Sequence, residues 1–332
     1  MKRMLYVLLA FGSLLAGVAS AQVATGSMDV QWDAGAADCN ANHPRPLQVH
    51  RYNERTYILR ESLCATYEGP FMYLLIGDSK ALLIDSGDVS EAQKMPLAST
   101  VMSLLPTVGG ARLPLIVVHT HGHLDHRSGD VQFASLPQVT IVGTDLAHVT
   151  EYFGFSHWPD GIAQVDLGNR IVDVVPTPGH YASHVSYYDR ATGLVFTGDF
   201  LLPGRLIIDD ADADRASAAR MADFMRTRPV TYVLGGHIEL DRNGQTLEMG
   251  SSYHPNERAL PLGKDALMNL PTVLASYNGF YGQNGMFVMY SQTRMLQCLG
   301  VIAVVLLIGM AFGIRWFVRR RRHRYATPEV AT

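Results

Sequence analysis

The octapeptide HTHGHLDH, residues 119–126, carries four histidines and one aspartate. Histidine makes up only 13 of the 332 residues, so this run is a strong local concentration of imidazole. Neutral imidazoles and carboxylates are ligands that zinc, iron and manganese accept in proteins. The octapeptide therefore predicts part of a metal site, and other segments must supply the remaining ligands.

Further His and Asp residues follow apolar, β-branched runs that are typical of strands. RIVDVV leads into PTPGH, GLVFT into GDF, and VTYVL into GGH, just as LPLIVV leads into the octapeptide. A rigid scaffold with polar groups at its strand ends suits a site with many ligands. The candidate metal ligands are His121, His123, Asp125, His126, His180, Asp199 and His237.

Seven ligands exceed what one tetrahedral metal ion can use. The economical arrangement is two metal ions with one bridging carboxylate. We expect two zinc ions, with iron or manganese as alternatives.

The order of these motifs resembles that of metallo-β-lactamase-fold hydrolases. HTHGHLDH, TPGH, TGD and GGH match that family's motifs, and LLIDSGD at 82–88 resembles the strand and turn that precede them. The resemblance covers roughly residues 56–275. It implies an α/β fold, an αβ/βα four-layer sandwich with the metals at one edge.

The resemblance also implies roles for the candidate ligands. His121, His123 and His180 would hold one metal, Asp125, His126 and His237 the second, and Asp199 would bridge them. A metal-bridging hydroxide would attack an ester, thioester or lactone carbonyl of a small-molecule substrate. Asp125 would be the catalytic residue that orients this hydroxide or accepts its proton.

Three alternatives stay open. Secreted β-lactamases of this fold usually lack the aspartate that resembles Asp199, which disfavours a β-lactamase. Persulfide dioxygenases with one iron share most of the motifs. A non-catalytic metal-binding module is the third alternative. A glutathione thioester is disfavoured, because that resemblance would imply a basic C-terminal binding segment, whereas this chain continues from Lys264 into a short helix and an apolar run.

Both ends of the chain carry targeting signals. Residues 1–21 have Lys2 and Arg3, an apolar run and an Ala-Ser-Ala end, which predicts a signal peptide cleaved before Gln22. The uncharged run from Met295 to Ile314, followed by an arginine cluster, predicts a transmembrane helix at 295–317 with a cytoplasmic C-terminus. We therefore expect a single-pass protein of the bacterial inner membrane with a periplasmic body.

The predicted division of the chain is a signal peptide (1–21), an N-terminal lead-in (22–55), a catalytic domain (56–275), a juxtamembrane segment (276–294), the transmembrane helix (295–317) and a basic cytoplasmic tail (318–332).

Between residues 22 and 297 the chain has 19 basic and 29 acidic residues, a net charge of −10. Such a body does not attract polyanions, so nucleic acid is excluded as a partner. Gly309 and Gly313 have helix-dimer spacing, so a homodimer stays open.

Several other residues carry two interpretations each. Cys39 and Cys64 are expected to form a disulfide, or else are two separate thiols. Asp85 either orients a ligand imidazole or ends a strand in a turn. His119 is expected to support the site without binding metal, Thr120 to be structural, and His184 to stabilise a turn.

Two loops and one arginine are candidates for substrate contact. YFGFSHWPDG at 152–161 and SSYHPNERALPLG at 251–263 either face the substrate or pack against the domain. Arg205 either holds a substrate carboxylate or forms an ion pair.

Overall fold

Two β-sheets lie at the centre of the computed structural model, which describes residues 23–42 and 44–325. The first sheet contains six strands, of which β4, β7 and β8 run parallel and the others antiparallel. In spatial order they are β1 (Leu47–Asn53), β2 (Thr56–Glu61), β3 (Phe71–Ile76), β4 (Ala81–Ile84), β7 (Leu115–Val118) and β8 (Val139–Ile141).

The second sheet has five strands and one parallel pair, β12 with β14. In spatial order they are β14 (Tyr232–Gly235), β12 (Leu194–Gly198), β11 (Val185–Asp189), β10 (Ile171–Pro176) and β9 (Ala163–Asp166). A third, smaller sheet contains β13 (Arg205–Ile207), β16 (Phe287–Tyr290) and β15 (Tyr281–Asn284). A short hairpin joins β5 (Thr107–Val108) and β6 (Ala111–Arg112).

Helices connect and cover these sheets. They are α1 (Cys39–Asn42), α2 (Leu97–Leu104), α3 (Leu124–Arg127), α4 (Leu146–Phe153), α5 (Ala211–Met225), α6 (Lys264–Ala275) and α7 (Gln292–Tyr325), with a 3₁₀ turn at Ser128–Gln132.

Side chains that alternate between the two faces of each strand pack into cores on both sides of each large sheet. The result is a four-layer α/β sandwich. Leu82 and Ile84 face the core between the two large sheets, whereas Leu83 points the other way into a core shared with α2. Successive side chains of a strand point to opposite faces, so one buried strand serves two cores. The second sheet also contributes to two cores, because its outer face packs with α5 and α6. The predicted α/β fold is confirmed.

The segments flanking the predicted catalytic domain also contribute strands. β1 lies in the predicted lead-in and pairs with β2 along almost its whole length. β15 and β16 lie in the predicted juxtamembrane segment, and β16 pairs in parallel with β13. The described domain therefore extends to the start of α7.

Helix α7 is long and apolar enough to cross a membrane, judged by its length and composition. None of its apolar stretch is buried against the rest of the described chain. The predicted C-terminal apolar helix is thus present, while the predicted signal peptide at 1–21 and the end of the basic tail lie outside the described residues.

A disulfide joins Cys39 of α1 to Cys64, which follows β2. The Cα atoms are 5.4 Å apart, and the bridge ties the N-terminal lead-in to the first sheet. Cys298 of α7 is a free, exposed cysteine.

Removing this bridge should destabilise the domain. The bridge closes a 25-residue separation, which in the chain-entropy model is worth about 3 kcal/mol. We expect the Cys39→Ser/Cys64→Ser protein to melt roughly 6–12 °C lower, measured by calorimetry. Cys298→Ser, which touches no disulfide, should melt as wild type does; an unchanged melting temperature in the double variant would contradict the structural role of the bridge.

Glu61 is a buried carboxyl group at the end of β2. Its Oε2 accepts a hydrogen bond from the Asp88 N–H at 2.9 Å, and its Oε1 has no hydrogen-bond partner among the described residues. Burial raises the pKa of Glu61 to about 8, because the charged form loses its hydration. The folded state therefore holds a proton that the unfolded chain releases at lower pH.

The raised pKa of Glu61 predicts a stability that falls as the pH rises from about 4.5 through 8. Between these values the folded state binds more protons than the unfolded state, so each pH unit costs at most about 1.4 kcal/mol. Glu61→Gln should flatten this slope in denaturant titrations at pH 5 to 9, whereas Glu54→Gln, at a side chain that is 91% exposed, should not. Parallel profiles for wild type and Glu61→Gln would refute the assignment.

Candidate metal centre

The predicted ligands follow strands whose ends meet at one edge of the sandwich. β4 runs parallel to β7, and β12 runs parallel to β14. β10 runs in the same direction as β12, because both are antiparallel to β11. The structure brings all seven predicted ligands together in two adjacent groups: His121, His123 and His180, and Asp125, His126, Asp199 and His237.

The first group is a triangle of imidazole nitrogens. Nε2 of His121 and Nδ1 of His123 are 3.0 Å apart, and Nε2 of His180 lies 3.0 Å from His123 Nδ1. The third side, between the Nε2 atoms of His180 and His121, measures 3.2 Å. The three nitrogens thus face one common point.

The second group forms a similar triangle with one carboxylate oxygen. Oδ2 of Asp125 lies 3.1 Å from Nε2 of His126 and 3.1 Å from Nε2 of His237. The two Nε2 atoms are 3.2 Å apart.

Asp199 lies between the two triangles. Its Oδ1 is 3.4 Å from His126 Nε2 and 3.6 Å from His237 Nε2, while its Oδ2 is 3.7 Å from His180 Nε2. Oδ1 is buried without a hydrogen-bond partner among the described residues. A buried carboxylate oxygen without a donor is unfavourable unless a cation faces it.

These separations fit tetrahedral metal coordination. A zinc ion with ligand bonds of about 2.0–2.1 Å places neighbouring ligand nitrogens roughly 3.3 Å apart. Each triangle supplies three ligand atoms at close to this spacing, and Asp199 offers one oxygen to each side. The donor set therefore fits two divalent ions, and metal binding by these seven residues stays a prediction.

Main-chain carbonyls orient two of the imidazoles. His180 Nδ1–H donates to Ile207 O at 2.7 Å, and His237 Nδ1–H donates to Glu68 O at 2.9 Å. Each bond occupies Nδ1, so Nε2 is the nitrogen directed at the triangle. Neither Ile207 nor Glu68 was found from the sequence, because a carbonyl acceptor has no side-chain signature.

Asp85 orients a third imidazole and the ligand loop. Its Oδ2 accepts from His126 Nδ1–H at 2.9 Å, and its carboxylate also accepts from the Thr120 main-chain N–H at 2.7 Å. The Thr120 hydroxyl donates to Asp85 Oδ2 at 2.9 Å and lies 3.1 Å from His121 Nδ1. The structure thus places Asp85 against the imidazole of His126, a candidate ligand, and bonds the Thr120 hydroxyl to the same carboxylate.

The two groups differ in charge. Burial and the neighbouring imidazoles lower the pKa of His121, which favours its neutral, ligating form. Burial opposes protonation of His237, but the carboxylates of Asp199 and Asp125 outweigh it and raise the pKa of His237 to about 10. The same interactions, with those of His126, hold the pKa of Asp125 well below its usual range against the effect of burial. Positive charge is therefore favoured at the second group.

Two nearby side chains, His184 and Tyr181, pack against candidate ligands. His119 instead has a carboxylate partner, with Nε2 2.9 Å from Asp130 Oδ1. His184 is buried, stacks on His121 with ring centroids 5.2 Å apart and bonds to Thr177. Tyr181, which the sequence did not single out, packs edge-on against His123 at 5.0 Å.

The candidate substrate-contact residues are mostly engaged elsewhere. Arg205 pairs with Glu239 at 3.2 Å beside His237, so the ion-pair interpretation holds. His254 contacts Glu257 at 3.3 Å, and Glu257 forms a buried bidentate pair with Arg60 at 2.6 Å. The 251–263 loop is therefore anchored to β2.

The aromatic loop at 152–161 packs against the domain. Phe153, Phe155 and Trp158 lie partly buried against the core between the two large sheets. His157 is exposed, and its ring Nδ1 lies 3.2 Å from the hydroxyl of its neighbour Ser156. The structure favours packing over substrate contact for this loop.

Comparison with known proteins agrees with the fold and the motifs. The model of the metallo-beta-lactamase superfamily matches residues 66–237, which is more than half of the chain. The chain belongs to the metallo-beta-lactamase superfamily, and the family prediction is confirmed.

The chain is also similar to individual proteins. It is 32% identical over 88 residues to a hydroxyacylglutathione hydrolase of Mesorhizobium japonicum, covering 26% of this chain and 34% of that protein. A protein of the same name from a Methylobacterium species is 26% identical over 190 residues, 54% of this chain and 71% of that protein. A metallo-beta-lactamase structure from Pontibacter korlensis is 18% identical, with a TM-score of 0.47 over 70% of this chain and 100% of that chain. The match spans about a third to a half of the length of the first curated relatives.

Asp85→Asn should weaken metal binding without removing a predicted ligand. The amide keeps the size of the carboxylate but puts an N–H donor against His126 Nδ1–H or Thr120, so the imidazole loses its orientation. We expect a 10–100-fold loss of zinc affinity in chelator competition. Asp145→Asn, at an exposed aspartate that pairs with His148, is the matched control and should bind zinc as wild type does. Equal affinities for both variants would exclude Asp85 as an orienting residue.

Proposed function

We propose that this protein is a membrane-anchored, extracytoplasmic hydrolase that uses two divalent metal ions, zinc in preference to iron or manganese. The observation that carries the proposal is the pair of ligand triangles with the unpartnered carboxylate oxygen of Asp199 between them. Family membership supports the same conclusion.

His121, His123 and His180 would hold one ion, Asp125, His126 and His237 the other, and Asp199 would contact both. When bound, such ions supply an activated water nucleophile and polarise the carbonyl that it attacks. Asp125 is the residue we assign to orient the nucleophile and accept its proton, because its Oδ2 is one corner of the second triangle and its side chain is 20% exposed. No serine or cysteine nucleophile is needed.

We propose an ester, thioester or lactone as the substrate. The relatives named hydroxyacylglutathione hydrolase support acyl hydrolysis as the reaction class. We place the reacting carbonyl in a small cleft beside His237, lined by Tyr67, Glu68, Arg205, Glu239 and Met249 among others. The net negative charge of the body argues against nucleic acid as a substrate.

We propose a single membrane crossing by α7, with the catalytic domain in the periplasm. The apolar surface of α7 is unburied, and arginines follow its apolar run. By the positive-inside rule these arginines favour a cytoplasmic C-terminus. Together with the predicted signal peptide at 1–21, this arrangement favours the bacterial inner membrane.

Asp199→Ala tests the dinuclear proposal. Loss of the shared ligand should lower the bound metal below two ions per chain and reduce hydrolysis of an ester, thioester and lactone panel by at least ~100-fold. Metal content by mass spectrometry and initial rates would be measured on the full chain in detergent. The control is Asp145→Ala at the surface. Unchanged metal stoichiometry in Asp199→Ala would remove Asp199 from the ligand set.

A further inference from the structure

The wall of the cleft is continuous with the membrane-anchor candidate. Arg205 lines the cleft beside His237 and lies on β13, which pairs in parallel with β16. Ile207, the last residue of β13, pairs with Tyr290 and accepts the Nδ1–H bond of His180. One short sheet therefore contacts a predicted metal ligand on one strand and leads into α7 on the other.

The connection between β16 and α7 is short and held in place. Ser291 separates them and is buried; its N–H donates to Phe280 O at 3.1 Å. The Met295 N–H donates to Ser291 O at 3.1 Å, and the Arg294 N–H donates to Ser291 Oγ at 3.3 Å. At about 1.5 Å per helical residue, the apolar run that begins at Met295 starts roughly 10 Å from the strand that supports His180.

Two exposed aromatic side chains lie in the hairpin that precedes α7. Phe280 is 40% exposed and Tyr281 is 48% exposed, and Tyr281 pairs with Tyr290 across the hairpin. Tyrosine, whose ring is amphipathic, is enriched at the membrane–water interface. With α7 inserted as proposed, we expect this hairpin to lie at the headgroup region.

We propose that the substrate is a membrane-resident amphiphile, a long-chain acyl ester or thioester whose tail stays in the outer leaflet while its carbonyl enters the cleft. This inference rests on the proposed hydrolase and on the anchoring by α7. Exposed Tyr67 and Met249 at the cleft provide apolar contacts for the part of the acyl chain that leaves the bilayer. The reaction adds one water: the acyl carbon–oxygen or carbon–sulfur bond breaks, the acid keeps the water oxygen, and the leaving alcohol or thiol takes a proton.

A fixed, short connection matters only for such a substrate. A water-soluble ester reaches the cleft from bulk solvent whether or not the cleft lies near the bilayer. An ester held in the leaflet reaches it only if the cleft is held at that surface. Moving the domain away from the membrane should therefore affect the two kinds of substrate differently.

The experiment uses the full chain reconstituted in phosphatidylcholine vesicles. The probes are 4-nitrophenyl acetate in solution and 4-nitrophenyl palmitate dissolved in the vesicles. A Gly/Ser spacer of roughly 12 residues inserted between Arg294 and Met295 reaches on the order of 20 Å. The matched control carries the same spacer between Gly109 and Gly110, in the exposed hairpin before β7, at the opposite end of that strand from the ligand loop.

The wild type and the control should hydrolyse the vesicle-held palmitate ester. The Arg294–Met295 spacer variant should hydrolyse it at least ~10-fold more slowly, while its rate with the acetate ester stays unchanged. Equal palmitate rates in the spacer variant and the control would overturn the inference and leave the hydrolase intact. Absence of hydrolysis of either ester by the metal-loaded wild type would overturn the proposed function, and the inference with it.

A second variant and a spectroscopic measurement test the inference even if the spacer variant misfolds. Phe280→Ser/Tyr281→Ser should raise the KM for vesicle-held palmitate several-fold and leave acetate kinetics unchanged. A nitroxide on Tyr281→Cys, in a Cys298→Ser background, should show oxygen accessibility typical of the interface, whereas one on Val108→Cys should not. A fully aqueous signal at position 281 would contradict the placement of the hairpin.

Discussion

The carboxylate of Asp85 joins the ends of two neighbouring strands and thereby fixes the ligand loop. Asp85 follows β4, and Thr120 follows β7 by two residues; the parallel pairing of β4 and β7 brings them together. The three donors that reach this carboxylate come from the Thr120 N–H, the Thr120 hydroxyl and His126 Nδ1–H. Asp85 has a φ of 63°, an uncommon left-handed conformation for a non-glycine residue, so its backbone is held there by these surroundings. The positions of His121 and His126 depend on this one group.

The clustering of the candidate ligands could be predicted from the sequence because these residues follow strands directly. HTHGHLDH places two residues of one triangle and two of the other within six positions of the chain, from His121 to His126. The remaining three candidate ligands each follow a β-branched run, so their position at one edge of the sheets could be predicted. What could not be predicted were the carbonyls of Ile207 and Glu68, which act through main-chain atoms. A main-chain carbonyl can accept this hydrogen bond whatever its side chain is, so no residue type marks its position in the sequence.

The small third sheet was also missed, and the reason is physical. YGQN and FVMY form four-residue strands separated by Gly285 and Met286, and neither has the length or repeat that indicates a strand on its own. Pairing with β13 stabilises them, and that contact joins positions about 80 residues apart, as in Arg205 with Val288. A segment interpreted as a connector is therefore part of the domain. The sheet connects the candidate metal centre to α7.

The central claim is that the two triangles bind two metal ions. The most direct measurement is the metal content of the full chain, purified in detergent from cells without added metal and analysed by mass spectrometry. The account predicts about two zinc or manganese ions per chain, matching the two ligand groups. A chain that contains no metal and takes up none on addition, or one that holds a single iron ion, would contradict it.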